Sequence, residues 1–132
     1  MYLLDTNALL ILLYSDQAQG KLRTDAMETL VTETDLSVSI ASLQEMAIKV
    51  KIKKLDLGVS IAEVEQECFH QGITILPIKS SYLDKTIDLP LMKDHGDPFD
   101  RVIMATALVE GMTLISTDHK VRRKEYGVDV IW

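Results

Sequence analysis

Residues 97–120, DPFDRVIMATALVEGMTLISTDHK, decide how this chain folds. Asp97 followed by Pro98 reads as an N-cap and first helical residue. The run RVIMATALVE is almost wholly apolar or small, and Gly111 ends it, so a helix buried against other structure is predicted. One residue later MTLIS (112–116) reads as a short apolar strand, closed by Thr117 and Asp118. A buried helix feeding directly into a buried strand is half of a βαβ unit.

Outward from this stretch the alternation repeats. MYLLD (1–5), LSVSI (36–40), ITILPI (73–78) and the final VDVIW (128–132) have strand character, and helical patterns lie between them. Leu43, Met46, Ala47 and Val50 follow helical spacing after Ser42, a plausible N-cap, and predict a helix over about 42–53. Ser60 and Glu63 have capping-box spacing, opening a helix through about His70 that Gly72 would end. The segment KSSYLDKTIDLPLMKDHGDPFD (79–100) is polar and turn-rich, with at most one short helix, started at Ser80 or Ser81. The reading is an α/β fold with a central, mainly parallel β-sheet flanked by α-helices. With 132 residues and no linker or repeat, it forms one domain over 1–132.

Composition narrows the function. At 47% hydrophobic and 26% charged, the chain is globular rather than disordered. No apolar run spans a membrane and no basic residues precede the apolar N-terminus, so the expected compartment is the cytoplasm. The lone cysteine, Cys68, has no zinc-site neighbours and reads as core in a reducing environment. A net charge of −6 argues against wrapping nucleic acid with the whole surface; any phosphate contact is local. Two basic clusters stand out: Lys49, Lys51, Lys53 and Lys54, and Lys120, Arg122, Arg123 and Lys124. Each reads equally well as a solvated face.

The acids fall where an open parallel sheet gathers its ligands, beyond the carboxyl ends of the strands. Asp5 closes the first strand, Glu45 lies in the first turn after the second, Asp97 and Asp100 open the long buried helix, and Asp118 follows the 112–116 strand. Each has a local alternative. Asp97 is an ordinary N-cap, Asp100 a first-turn charge, Glu45 a capping or Lys49 partner, Asp5 a helix cap and Asp118 a turn residue. If they converge, their mutual repulsion calls for a divalent cation, and oxygen ligands without cysteine favour Mg2+ or Mn2+.

In order, LLDTNALL, SLQEMAIKVKIKKL, HGDPFDRVIMATAL and LISTDHKVRRKEYGVDVIW resemble the motifs of PIN-domain nucleases, and most closely the VapC-like toxin branch. The resemblance covers nearly the whole chain. It implies a metal-dependent ribonuclease with Asp5, Glu45, Asp100 and Asp118 as catalytic, metal-holding acids and Asp97 as an accessory acid. It also implies that Thr6 and Asn7 shape the first-acid loop, that the Ser116 hydroxyl bonds the cluster, and that Arg101 stabilises the cluster or contacts phosphate. The implied partners are RNA, a cognate antitoxin and a second copy in a homodimer, with no membrane. Two neighbouring readings stay open: an RNA-processing PIN nuclease outside a toxin–antitoxin pair, and a non-catalytic binding relative.

Other acidic enzymes fit less well. A haloacid-dehalogenase-like phosphatase needs an acid where Asn7 stands, and a receiver domain needs one at the end of ITILPIK. His70, His95 and His119 lack the paired spacing of a hydrolase motif; His95 is the best rival base among them, with loop structure as its alternative.

Overall fold

A computed structural model describes residues 1–18 and 20–132. Five short strands, β1 (Tyr2–Leu4), β2 (Leu36–Ser39), β3 (Thr74–Leu76), β4 (Thr113–Ile115) and β5 (Val130–Ile131), form one sheet in the order β3-β2-β1-β4-β5. Every pairing is parallel. The chain builds β1, β2 and β3 to one side, then returns to place β4 and β5 on the other. The direction reverses between β1 and β4, the kind of crevice where open parallel sheets take their ligands.

Among the described residues six α-helices flank the sheet: α1 (Thr6–Leu13), α2 (Thr24–Thr32), α3 (Ile40–Lys51), α4 (Ile61–His70), α5 (Ser80–Asp88) and α6 (Pro98–Glu110). Strand alternation separates two cores. Leu4, Val38 and Ile115 pack with α1, α3 and α4 residues such as Leu9, Met46 and Val64, while Leu3 and Leu114 pack with Ile103, Met104, Tyr82 and Tyr126. Cys68 is fully buried in the first of these cores.

Most caps match the sequence expectation. Ser60 and Glu63 exchange both bonds of the capping box, and Asp97 caps α6, which ends on Gly111 at φ 65°. The exception is α3. Its N-cap is Ser39, whose hydroxyl accepts from Ala41 N at 3.1 Å, so the helix starts two residues earlier than expected, leaving strand β2 without a loop. Ser42 is instead buried inside the first turn, its hydroxyl without a hydrogen-bond partner among the described residues. Helix α2 was not anticipated: only Ala26 and Leu30 of its nine residues are buried, too sparse a stripe to read as a face.

Candidate active site

The site begins with the register of β1 and β4. Leu4 pairs with Ile115, and Asp5 N extends the ladder by donating to Ile115 O at 3.0 Å. The chain then turns into α1, and Asp5 becomes its N-cap, one carboxylate oxygen accepting from Ala8 N at 2.8 Å. The other oxygen accepts from the Ser116 hydroxyl, which β4 delivers to the same place. Asp5 is only 7% exposed. Burial raises its carboxyl to about 7; the bonds from Ser116 and Ala8 pull it down, while Asp100 and Glu45 push it up further.

Glu45, one turn into α3, is also buried. It accepts from the Thr6 hydroxyl on one oxygen and meets Lys49 Nζ at 2.9 Å on the other. The basic cluster noted in the sequence is therefore partly spent, since Lys49 neutralises an acid one helical turn before it. Asp100, in the first turn of α6, has its carboxyl raised to about 6, chiefly by burial, with Asp97 and Glu45 adding repulsion and His95 opposing. Asp5, Glu45 and Asp100 thus feel one another's charge although they belong to three elements far apart in sequence.

Asp118 joins the group through backbone and imidazole. Its N–H donates to the Ser116 hydroxyl at 3.0 Å, and its carboxylate caps a 3-10 turn, His119–Arg122, by accepting from Lys120 N. His95 Nε2 lies 3.0 Å from Asp100 Oδ2 and 3.8 Å from Asp118 Oδ2. One donor atom from each of these three residues lies within 4.8 Å of the others. His95 is buried, and its Nδ1 stands 2.9 Å from the Tyr126 hydroxyl, with the two rings edge to face. An ionised Asp100 can only accept, so Nε2 donates to it while Nδ1 bonds the Tyr126 hydroxyl. His95 is therefore a fixed strut between Tyr126 and the acids.

Not every expected residue lies where the motif suggested. Asp97 is exposed, with one oxygen accepting from Phe99 N and Asp100 N as the α6 cap. The half-buried Asn7 side chain makes no hydrogen bond among the described residues. The expectation that Arg101 stabilises the acids or meets phosphate needs correction. Its guanidinium donates to the carbonyls of Thr86, Leu89 and Pro90, satisfying the C-terminal end of α5. The fork is held there because the Leu89 and Pro90 carbonyls lie past the end of the helix and the Thr86 carbonyl has only a long 3.3 Å bond from Leu89 N. His95 and Tyr126, by contrast, hold a larger place at the site than the sequence suggests. The signal was present in HGDPFD and KEYG, but Tyr126 is 31 residues from His95, and nothing local pairs them.

Comparisons with known proteins agree with the geometry. A family profile describing the PIN domain matches residues 2–125. A comparison with curated proteins found no significant match in sequence. Among solved structures, FitAcB from Neisseria gonorrhoeae aligns over 100% of this chain and 97% of its own, at 21% identity and a TM-score of 0.63. VapBC2 from Rickettsia felis, bound to a promoter DNA fragment, aligns over 99% and 98%, at 13% identity and a TM-score of 0.65. DNA-bound VapBC from Salmonella typhimurium aligns over 98% and 95%, at 13% identity and a TM-score of 0.64. At these identities the likeness concerns the fold.

Proposed function

Because this chain belongs to the PIN-domain family, a family of nucleases, we propose that it is a metal-dependent ribonuclease acting as the toxin of a toxin–antitoxin pair. The observation that carries the reading is the set of carboxylates gathered at the β1/β4 crevice, two of them held well above their ordinary pKa by burial and by neighbouring acids. Such a set fits a hard divalent cation, Mg2+ or Mn2+, because its donors are carboxylate oxygens and their repulsion is what a cation relieves. Asp5, Glu45, Asp100 and Asp118 would hold it, with Asp97 as an accessory acid. Bound there, the cation supplies the positive charge that activates water and stabilises the scissile phosphate.

The chain's own residues keep the acids in place. Ser116 and Ala8 N orient Asp5, Thr6 and Lys49 orient Glu45, and His95, braced by Tyr126, orients Asp100. Burial excludes bulk water from Asp5 and Glu45 and so strengthens their hold on any cation. The toxin reading draws on the toxin–antitoxin complexes whose fold this chain shares. Exposed Ile87 and Leu91, four residues apart, and Phe69 offer apolar surface for a second copy or an antitoxin. No helix among the described residues is long and apolar enough to cross a membrane.

The test is to incubate wild-type protein and Asp5→Asn with total cellular RNA in magnesium, manganese or EDTA, and to map new RNA ends by sequencing. Discrete ends made by wild type with metal, absent with EDTA and from Asp5→Asn, are expected. No cleavage under any condition by folded, partner-free protein would reject the nuclease reading in favour of a binding role.

A further inference from the structure

Trp132, the chain's one tryptophan, lies directly after β5 and is 36% exposed. Strand register sets it beside the acid pocket: Ser116 N donates to Ile131 O at 3.2 Å, and the Ser116 hydroxyl donates to Asp5. Two guanidinium groups lie against the indole. The central carbon of Arg122 stands 4.1 Å from the ring centroid, and that of Arg23 stands 5.5 Å from it.

The two arginines reach the ring from different directions. Arg122 belongs to the 3-10 turn that Asp118 caps, so its backbone is fixed by one of the site acids. Arg23 precedes α2, three residues after Gly20, whose backbone runs so close to Thr117 that a Cβ there would meet the Thr117 side chain at 3.0 Å. Both therefore approach the loop that joins Ser116 to Asp118.

Neither arginine forms an ion pair among the described residues. Their neighbours do not share that freedom, for Lys120 donates to Asp94 O and Arg123 pairs with the Asp94 carboxylate. In a chain of net charge −6, two arginines without an acid partner beside a carboxylate pocket are unusual company. Stacking occupies the face of a guanidinium and leaves its in-plane N–H fork open. A fork held on an aromatic ring is pre-ordered for bidentate contact with a phosphate.

We propose that Arg23, Arg122 and Trp132 form a phosphate-binding subsite that grips the backbone of single-stranded RNA next to the acid pocket. The subsite rests on the ribonuclease reading for its ligand. It supplies what the acids cannot: cationic contact with the phosphates beyond the one being cut.

Trp132 is its own reporter. A short oligouridylate is titrated into Asp5→Asn protein in EDTA, which removes turnover, and tryptophan fluorescence is followed over a range of salt concentrations. Binding should change the fluorescence. Arg23→Gln with Arg122→Gln should weaken binding roughly tenfold at low salt. The slope of log affinity against log salt should become shallower by about 1.4, or about 0.7 for each lost phosphate contact on a single strand. Lys51→Gln with Lys54→Gln, at the end of α3 remote from the strands' carboxyl ends, should leave the slope unchanged.

The proposal is overturned if the folded arginine variant keeps the parent slope, if the lysine pair carries the effect instead, or if the oligouridylate does not bind. It is equally overturned if the arginine variant binds RNA normally and loses only a protein partner. Retained RNA cleavage by wild-type protein alongside an unchanged slope would remove the subsite and leave the nuclease; absent cleavage would remove the nuclease reading itself.

Discussion

At pH 8, with divalent cations chelated, Asp5→Asn should make the protein more stable. Burial lifts the Asp5 carboxyl from 3.8 to about 7 in the native state. At roughly 1.4 kcal/mol per pKa unit, keeping it ionised costs the fold about 4 kcal/mol at alkaline pH. Asparagine resembles the protonated acid and still caps α1. Its NH2 replaces an oxygen that accepts from either Ser116 or Ala8, a loss of about 1–2 kcal/mol. The net gain of about 2–3 kcal/mol corresponds to a rise in thermal midpoint on the order of 10 °C for a chain of this length. The sign follows from linkage. For an acid whose native pKa is raised, the stability is fully present below the unfolded value of 3.8 and lost as pH rises through about 7. Wild type should therefore weaken across that window, and the gap to Asp5→Asn should close towards pH 4. Magnesium should reverse the order, because it stabilises only a protein that binds it. Urea unfolding followed by circular dichroism at pH 5 and 8, with EDTA or magnesium, reads all of this. A variant less stable than wild type at pH 8 in EDTA, or a gap that ignores pH, would refute the account of a strained, buried carboxylate.

Tyr126→Phe deletes the hydroxyl that braces His95 while keeping the ring; it should lower stability by about 1 kcal/mol and Mn2+ affinity by roughly tenfold in isothermal titration. Unchanged affinity, or equal loss in Tyr82→Phe, a core tyrosine whose hydroxyl has no hydrogen-bond partner among the described residues, would deny the strut a specific role. Arg101→Met should destabilise the fold by about 2–4 kcal/mol in urea unfolding, since the Leu89 and Pro90 carbonyls lose the guanidinium donor and Thr86 O keeps only its long bond from Leu89 N, and this loss should be the same with and without magnesium. A magnesium response altered by that substitution would return Arg101 to the acid site.

The sheet was legible because its strands are short apolar runs bounded by turn residues, and a buried parallel strand has to look like that. The capped helices α4 and α6 were legible because their caps are local. The start of α3 is not legible because two serines, Ser39 and Ser42, compete for one role, and only the direct passage from strand to helix decides between them. The acids could be named from their positions after strands. Their convergence could not, because Asp5, Glu45 and Asp100 each have a sufficient local explanation, and only their long-range repulsion makes one site of them. The misplacement of Arg101 has the same root. Its neighbours in sequence are acids, whereas its neighbours in space are the carbonyls at the end of a helix.

The hydrogen bond from Ser116 to Asp5 joins residues 111 positions apart. A ribosome must deliver everything between β1 and β4 before that bond can close, since β4 has to thread into place beside β1. Until then Asp5 lacks both its partner hydroxyl and Asp118. The pocket thus completes itself only once β4 is in place. For a protein proposed to cut RNA, the strand order acts as a clock: the site stays incomplete until β4 has been made.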